Sequence, residues 1–170
     1  DKKSYNGREF FFEGPCHLAI GQEATAVAEA FYLDENDFIF GSHRSHHEVL
    51  AKGFSAIRKM SDDALEKIMN AEENSHIRDV IEKNYASKDI KTTARRFFIF
   101  GILCDIFAKK TGFCGGLAGS MHILFPPFGI YPSNAIVGAS ASIAAGAALY
   151  KKTQRNKGVV IANIGDGAAG

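Results

Sequence analysis

The stretch VVIANIGDGAAG, residues 159–170, joins an apolar run to a carboxylate that lies between two glycines. Its first six residues are rich in Val and Ile, which predicts a strand buried on both faces, as in a parallel sheet covered by helices. Gly165 and Gly167 flank Asp166 at the carboxyl end of this strand, where open α/β sheets bind their ligands. Glycines let a backbone approach a bulky anion, and a carboxylate binds the hard cation that accompanies a diphosphate. The stretch therefore predicts an α/β fold with a parallel sheet flanked by helices, although a bare Gly-Asp-Gly also fits an ordinary turn.

The composition limits the classes of function. The chain has 170 residues, of which 46% are apolar and 23% charged, enough for one domain with a substantial core. Its 20 basic and 19 acidic residues give a formal net charge of +1. No overall field therefore favours nucleic acid or an anionic membrane as a partner, and we expect any anion site to be local.

The cysteines and the apolar stretches bear on the compartment. Cys16, Cys104 and Cys114 are odd in number and lack a Cys-x-x-Cys spacing, which argues against a disulfide framework and a zinc knuckle. We expect them to be buried apolar fillers in a reducing compartment. No stretch resembles a signal peptide or a membrane span. The expected location is the cytoplasm of a bacterium or the mitochondrial matrix of a eukaryote.

A second strand-to-loop corner lies early in the chain. Residues 37–40 predict a short buried strand, and residues 41–47, GSHRSHH, carry polar groups at its end. His43, His46 and His47 are spaced i, i+3 and i+4, which would suit zinc on a helix, but no second set of ligands matches them.

Helices surround these two corners. A helix that begins near Glu23 has one apolar face, and a dipole or capping role fits Glu23 better than a catalytic one. The apolar face consists of Ala24, Val27, Ala28 and Phe31. Residues 61–69 and 77–81 predict two amphipathic helices, the first capped by Ser61. Thr92 or Thr93 is expected to cap a third helix that runs to Lys110 with an aromatic stripe, which we interpret as core or subunit contact.

The second half of the chain alternates irregular and helical segments. Residues 111–122, TGFCGGLAGSMH, contain too many glycines for a helix or strand and form either a flexible connection or the wall of a site. Prolines are expected to keep the chain irregular as far as residues 133–134. Residues 135–150 predict a helix of small side chains buried against the sheet, another helix or a partner subunit. Residues 151–158 predict an exposed basic turn.

Several of these segments, in this order, resemble one family. They are His17-Leu18, Gly21–Ala24, the Arg44 corner, Gly119–His122, Ile136–Ala139 and Gly165–Ala169. Together they resemble the alpha chain of thiamine-diphosphate-dependent 2-oxo acid dehydrogenases, the decarboxylating component of pyruvate, branched-chain and acetoin complexes. The resemblance covers roughly residues 10–53 and 111–170, and it leaves about 54–110 as a helical insertion. It implies that residues 1–170 are a single partial thiamine-diphosphate-binding domain, incomplete at the carboxyl end.

The resemblance also implies a site. Asp166 would ligate magnesium, and Gly165, Gly167 and Ala168 would form the turn whose backbone binds the diphosphate. Arg44 would pair with that diphosphate, a task suited to its planar fork of donors. His43, where many relatives have tyrosine, would be a further hydrogen-bond donor. The backbone of Ala135 and Val137 would contact the aminopyrimidine ring. Three histidines would surround the reacting carbon: His17, His46 and His122.

The implied activity is the oxidative decarboxylation of a small 2-oxo acid, with acyl transfer to the lipoyl group of an acyltransferase. The cofactors would be thiamine diphosphate and magnesium. The partner would be a beta subunit or beta domain, in an α2β2 or fused assembly. Because the family draws a glutamate from the beta chain and further magnesium ligands from beyond the Gly-Asp-Gly turn, we expect the 170-residue chain alone to be inactive and to bind the cofactor weakly.

Two other interpretations remain open. One is a non-catalytic fragment that only binds a second chain through its small-residue helix and aromatic segment. The other is a different thiamine enzyme, such as half of a transketolase, which shares the Gly-Asp-Gly turn. The Arg44 corner and the Ser-Met-His at residues 120–122 favour the dehydrogenase.

Overall fold

The computed structural model describes residues 3–5, 7–10, 14–15, 17–85 and 87–169, so the prediction for Cys16 lies outside the described residues. The elements in chain order are β1 (Lys3–Tyr5), β2 (Arg8–Phe10), α1 (Glu23–Tyr32), β3 (Phe38–Ser42), α2 (His46–Lys59), α3 (Asp62–Met69), α4 (Ser75–Tyr85), α5 (Ile90–Ile106), β4 (Ile130–Asn134), α6 (Ala139–Gln154), β5 (Val160–Ala162) and α7 (Asp166–Ala169). Single turns of 3₁₀ helix lie at Glu72–Asn74, Gly119–Met121 and Pro126–Phe128. No helix in these described ranges is long and apolar enough to cross a membrane.

The main sheet is parallel and has the order β4-β3-β5, which confirms the predicted α/β class. Ile39 of β3 pairs with Ile130 on one side and with Ile161 on the other. Of the strand predicted at 159–164, only Val160–Ala162 forms, and the prediction that it is buried on both faces is wrong. All three residues are only half-buried, because β5 pairs only with β3 among the described strands and lies at the edge of the sheet.

Strand β4 contradicts the prediction of an irregular segment up to residue 134. Pro132 lies within β4, which forms the other edge of the sheet and pairs only with β3 among the described strands. Proline has no backbone N–H to donate to a neighbouring strand. An edge strand tolerates this loss, because one of its sides has no neighbouring strand. Tyr131 of β4 packs against Phe38 and Phe40, with ring centroids 4.4 and 5.3 Å apart.

The segment 54–110 is helical, as predicted, and it supplies much of the core. Phe97 and Phe98 of α5 are fully buried, which confirms a core role for this part of the aromatic stripe. Ser61 caps α3 as predicted, accepting a hydrogen bond from the Ala64 N–H. The predicted threonine cap of α5 is wrong. Asp89 is the N-cap and accepts from the Thr92 N–H at 2.9 Å, because its carboxylate reaches the free N–H groups of the first turn. The helix ends at Ile106, so the predicted end at Lys110 is also wrong.

Two helices expose faces that the sequence pattern favours for burial. Helix α1 buries Ala26 and Ala30, whereas Val27 and Phe31 of the predicted apolar face are 61% and 56% exposed. Helix α6 begins at Ala139, and its buried residues are Ser140, Ala144 and Lys151. Periodicity identifies a face correctly but does not determine which side the remaining elements cover.

Lys151 contradicts the prediction of an exposed basic turn at 151–158. It lies in the last turn of α6 and is buried, and its ammonium donates to the carbonyls of Asn36 and Lys157 at 2.5 and 2.7 Å. The ammonium also lies 3.6 Å from the centroid of the Phe38 ring. Its hydrogen bonds and the ring face compensate for the loss of water around the charge.

The two described cysteines are free and only half-buried, so the prediction that they are buried fillers is wrong for Cys104 and Cys114. The Cys114 N–H donates to Asp105 Oδ1 at 3.0 Å, which ties the glycine-rich loop to α5. Burial, together with the Asp105 carboxylate, raises the pKa of the Cys114 thiol to about 11. The thiol is therefore protonated and unreactive at neutral pH.

Gly129, which leads into β4, is required by both conformation and space. Its φ is +72°, and an added Cβ would lie 2.1 Å from the Asp37 carbonyl oxygen. We expect Gly129→Ala to lower the free energy of unfolding by about 2–4 kcal/mol, from left-handed strain and overpacking together. Gly115→Ala, at φ +61° with open space around it, is the matched control, with an expected cost of about 1–2 kcal/mol. Equal losses in urea unfolding would show that the contact at Gly129 is unimportant.

Candidate functional site

A cavity of about 690 Å³ opens at the carboxyl edge of the sheet, where β3 and β5 end. Arg44 follows β3 and Asp166 follows β5, and both line this cavity although they are far apart in the chain. The other predicted site residues on its wall are His43, Val137, Gly165, Gly167 and Ala168. The parallel arrangement explains this convergence, because the carboxyl ends of neighbouring parallel strands lie at one edge.

The β3–α2 turn positions Arg44. Its N–H donates to Ser42 Oγ at 3.2 Å, and its Nη1 donates to the Leu18 carbonyl at 2.8 Å. The turn is tight, since a Cβ on Gly41 would lie 2.2 Å from Ser45 Cβ. The guanidinium is exposed on one side, so donors remain for a ligand in the cavity.

The turn around Asp166 packs against the turn before α6. Gly138 has φ +86°, and a Cβ there would lie 3.2 Å from the Ala168 carbonyl oxygen, so only glycine lets the two backbones approach this closely. The Ala168 N–H donates to the Gly165 carbonyl at 2.9 Å. Ala135 does not line the cavity, whereas Val137 and Gly138 do.

The three predicted catalytic histidines lie outside the cavity wall. His46 Nε2 donates to the Ser120 carbonyl at 2.8 Å, and the His17 N–H lies 3.4 Å from Ser120 Oγ, so Ser120 joins these two histidines. The His17 ring contacts His43 edge-to-face at 5.0 Å and is one residue removed from the cavity. His122 is exposed, and its Nδ1 donates to the Ser133 carbonyl at 3.3 Å.

The predicted alternative of a three-histidine zinc site does not form. His43 precedes α2, whereas His46 and His47 are its first two residues. Within the described ranges, no group of three or more His, Cys, Asp or Glu side chains could hold a metal ion. Glu23 also lies outside the cavity wall, and it accepts from the Gly21 N–H at 3.0 Å, in agreement with the predicted capping role.

Further polar residues line the cavity that sequence reasoning did not assign to a site, and they include Glu29, His47, Glu48 and Asn163. Asn163 Nδ2 donates to Glu29 Oε1 at 3.2 Å, and burial raises the pKa of Glu48 to about 7. In the sequence, the signal for this part of the site is the carboxylate of Glu48, which lies one helical turn before Lys52 on the inward face of α2. Its meaning depends on Asn163 and Glu29, which only the fold brings near.

Several polar atoms on the wall have no protein partner. His43 Nδ1, His47 Nδ1 and Glu48 Oε2 are buried and make no hydrogen bond in the structure. Burial is the first cause that lowers the pKa of both histidines, and the nearby His17 and Arg44 lower the pKa of His43 further. Both rings are therefore neutral at pH 7 and can donate or accept a hydrogen bond.

Comparison with known proteins connects this chain to one family. Residues 9–90 and 59–170 match the family described as the dehydrogenase E1 component. The two matches overlap over 59–90, inside the segment predicted to be an insertion, whose status remains a prediction. The chain is 30% identical over 155 residues to the alpha subunit of acetoin:2,6-dichlorophenolindophenol oxidoreductase from Bacillus subtilis, covering 91% of the chain and 34% of that relative.

Two relatives named as pyruvate dehydrogenase subunits match the chain over a similar share of their length. The alpha subunit of the pyruvate dehydrogenase E1 component from Rhizobium meliloti is 28% identical over 159 residues, covering 94% of the chain and 33% of the relative. The mitochondrial testis-specific form of that subunit from Rattus norvegicus is 28% identical over 162 residues, covering 95% and 30%. The chain thus spans about a third of the length of the curated relatives it matches.

Proposed function

The chain belongs to the dehydrogenase E1 component family, and from that membership we propose that it is part of a thiamine-diphosphate-dependent 2-oxo acid dehydrogenase. The observation that carries the proposal is the shared cavity of Arg44 and Asp166 at the carboxyl edge of the sheet. A cation for a diphosphate and a carboxylate for its metal meet there, next to a glycine-rich turn.

The residues of the cavity fit this cofactor. A volume of about 690 Å³ suits a ligand of this size class. Asp166 is a single carboxylate, which is what magnesium commonly takes from a protein when phosphate oxygens and water complete its shell. The unpartnered His43 Nδ1, His47 Nδ1 and Glu48 Oε2 favour a polar ligand, because buried polar atoms without a partner cost free energy.

Within this proposal each residue has a separate task. Arg44 would bind diphosphate oxygens through its guanidinium, and Asp166 would hold magnesium. The backbone N–H groups of Gly167 and Ala168 would be donors to the diphosphate. The backbone of Val137, on the cavity wall, would orient the aminopyrimidine ring, whereas Ala135 lies outside that wall, and His43 would donate a further hydrogen bond.

The remaining steps involve the substrate and other chains. Thiamine diphosphate supplies the electron sink that lets a 2-oxo acid lose carbon dioxide. His17 and His46, both in contact with Ser120, and His122 would hold or move protons of the substrate. We assign a beta subunit as the partner that completes the site, and a lipoyl-bearing acyltransferase as the acceptor of the acyl group.

A purely interacting role is the second candidate, because α1 and α6 expose large apolar side chains such as Phe31 and Leu149. The two functions differ in cofactor binding. Calorimetric titration of thiamine diphosphate with magnesium, with and without the beta partner, separates them. We expect tight binding only with magnesium and partner together, and an absence of binding in every combination would favour the interaction role.

Arg44→Ala tests the diphosphate contact in the assembled protein. A charged hydrogen bond contributes about 1.5–3 kcal/mol, so we expect cofactor affinity to fall about 10- to 100-fold. Arg44→Lys keeps the charge without the fork and should give an intermediate loss. Arg95→Ala, which removes an exposed arginine of α5 away from the cavity, is the control and should leave the affinity unchanged. Equal affinities for the Arg44→Ala and Arg95→Ala variants would contradict the assignment.

A further inference from the structure

One wall of the cavity carries two carboxylates and an amide. Glu29 comes from α1, Glu48 from the first turn of α2, and Asn163 from the segment directly after β5. Asn163 Nδ2 donates to Glu29 Oε1 at 3.2 Å. The three side chains line the same cavity, so two carboxyl groups and one amide face the same space.

The surroundings of Glu48 disfavour its charged form. The side chain is 13% exposed, and Oε2 is buried and has no hydrogen-bond partner. Oε1 lies 3.9 Å from His47 Nε2, and the pKa of that histidine is lowered, so the imidazole brings no compensating charge at pH 7. Burial raises the pKa of Glu48 first, the Glu29 carboxylate raises it further, and the nearby Asn163 amide opposes both effects.

Protonation of Glu48 changes the net charge of the cavity. The charged and titratable groups on the wall are Glu29, His43, Arg44, His47, Glu48 and Asp166. With both histidines neutral, three carboxylates would face one guanidinium, and an anion would be repelled. Magnesium at Asp166 offsets one of the carboxylates in the proposed function, and a proton on Glu48 removes a second negative charge.

We propose that Glu48 keeps its proton and presents a carboxylic acid to the anion in this cavity. A buried carboxyl group that has no hydrogen-bond partner on one oxygen and a second carboxylate nearby favours the neutral form over the charged one. The acid O–H of Glu48 donates to an anion oxygen, where a carboxylate would repel it. The position of the proton is independent of the proposed function. The identity of the anion as a diphosphate rests on the proposed function.

The proton can be located without any ligand. In infrared titrations of the full protein, the carboxylic-acid C=O band that is lost in Glu48→Gln reports on Glu48. We expect this band to persist up to about pH 7, and to titrate at lower pH in Glu29→Gln because the like charge is gone. Glu66→Gln, at an exposed position on α3, should leave the band unchanged. Titration of Glu48 near the ordinary value of 4.5 would overturn the proposal. Titration of Glu48 at the same pH in the wild type and in Glu29→Gln would overturn the effect of Glu29 on Glu48.

The effect on the anion is tested on the assembled protein with inorganic diphosphate and magnesium, by calorimetry in two buffers of different ionisation enthalpy. At pH 8.5 we expect the wild type to take up close to one proton more than Glu48→Gln on binding. The wild-type affinity should fall relative to Glu48→Gln by up to about tenfold for each pH unit above 7. The titration of diphosphate itself is common to both proteins and cancels in this ratio.

The outcomes separate the two proposals. If the wild type and Glu48→Gln bind diphosphate identically at pH 6.5 and 8.5, this inference fails while the proposed function stands. Loss of magnesium affinity in Glu48→Gln without any diphosphate would mean that the acids hold a cation, which also overturns it. If neither assembled protein binds any diphosphate, the proposed function fails together with the role of the anion, and the infrared titration alone decides whether Glu48 is protonated.

Discussion

Asp166→Ala is expected to remove the magnesium dependence of thiamine diphosphate binding and to lower the affinity in the presence of magnesium at least about a hundredfold. Asp166 lies in the turn that follows β5 and lines the cavity, and of the other carboxylates on the wall Glu29 accepts a hydrogen bond from Asn163 and Glu48 is largely buried. No neighbouring group in the described part of the chain forms a metal cluster that could replace it. The measurement is a calorimetric titration of the assembled protein with the cofactor, at saturating magnesium and in its absence.

Asp63→Ala provides the matched control for this change. Asp63 is also an exposed aspartate in the first turn of a helix, α3, and it lies outside the cavity. Because both aspartates are exposed, neither substitution should change the unfolding midpoint by much. The assignment of Asp166 to magnesium is wrong if the two variants bind the cofactor equally well, or if Asp166→Ala retains the wild-type difference between the two magnesium conditions.

The convergence of Arg44 and Asp166 could be predicted because it follows from a single property of parallel sheets. An apolar run that ends in a polar turn at residues 41–47, and another at 165–167, places both turns at the same edge once the strands are parallel. The helices at 61–69 and 77–81 were predictable for a similar reason, since local periodicity and one cap determine them. These features depend on near neighbours in the chain.

Features that depend on distant partners could not be predicted. The exposure of Phe31 reflects what α2 and the sheet leave uncovered, and the burial of Lys151 depends on carbonyls of residues 36 and 157. Strand β4 forms despite Pro132 because the sheet places it at an edge. The site shows the same division. Glu48 gives a weak signal alone, and only the approach of Asn163 and Glu29 makes it a candidate proton donor.

The sheet is anchored at the end opposite to the cavity by a second set of long-range contacts. Lys52 of α2 is fully buried, and its ammonium donates to the carbonyls of Asp34 and Phe128 at 2.6 and 2.5 Å. The Val159 N–H donates to Asp37 Oδ1 at 2.8 Å at the start of β5. The amino ends of β3 and β5 are therefore fixed through buried polar groups, and the polar turns at their carboxyl ends are free to bind a ligand.

The aromatic core beneath α2 stabilises this framework. Phe98 of α5 is fully buried, with ring centroids 5.3 Å from Phe128, 5.8 Å from Phe125 and 6.4 Å from Phe113. A Cβ on Gly53 would lie 2.1 Å from the Phe98 ring, so α2 and α5 meet where glycine leaves room for this side chain. Phe98 thus packs against α2, the glycine-rich loop and the turn before β4 at once.

Phe98→Ala is therefore expected to have the largest effect on stability among the substitutions considered for this chain. Removal of a buried phenylalanine costs about 3–5 kcal/mol, because the transfer free energy of the ring is lost and a cavity remains. That is a large part of the 5–15 kcal/mol that stabilises a typical domain. Urea unfolding of the protein measures the loss, and Leu103→Ala, at a 44% exposed position of the same helix, is the control, with an expected cost of about 1 kcal/mol or less. Similar losses for the two variants would mean that α5 does not pack with Phe98 at its centre, and that segment 54–110 is not part of the core that supports the cavity.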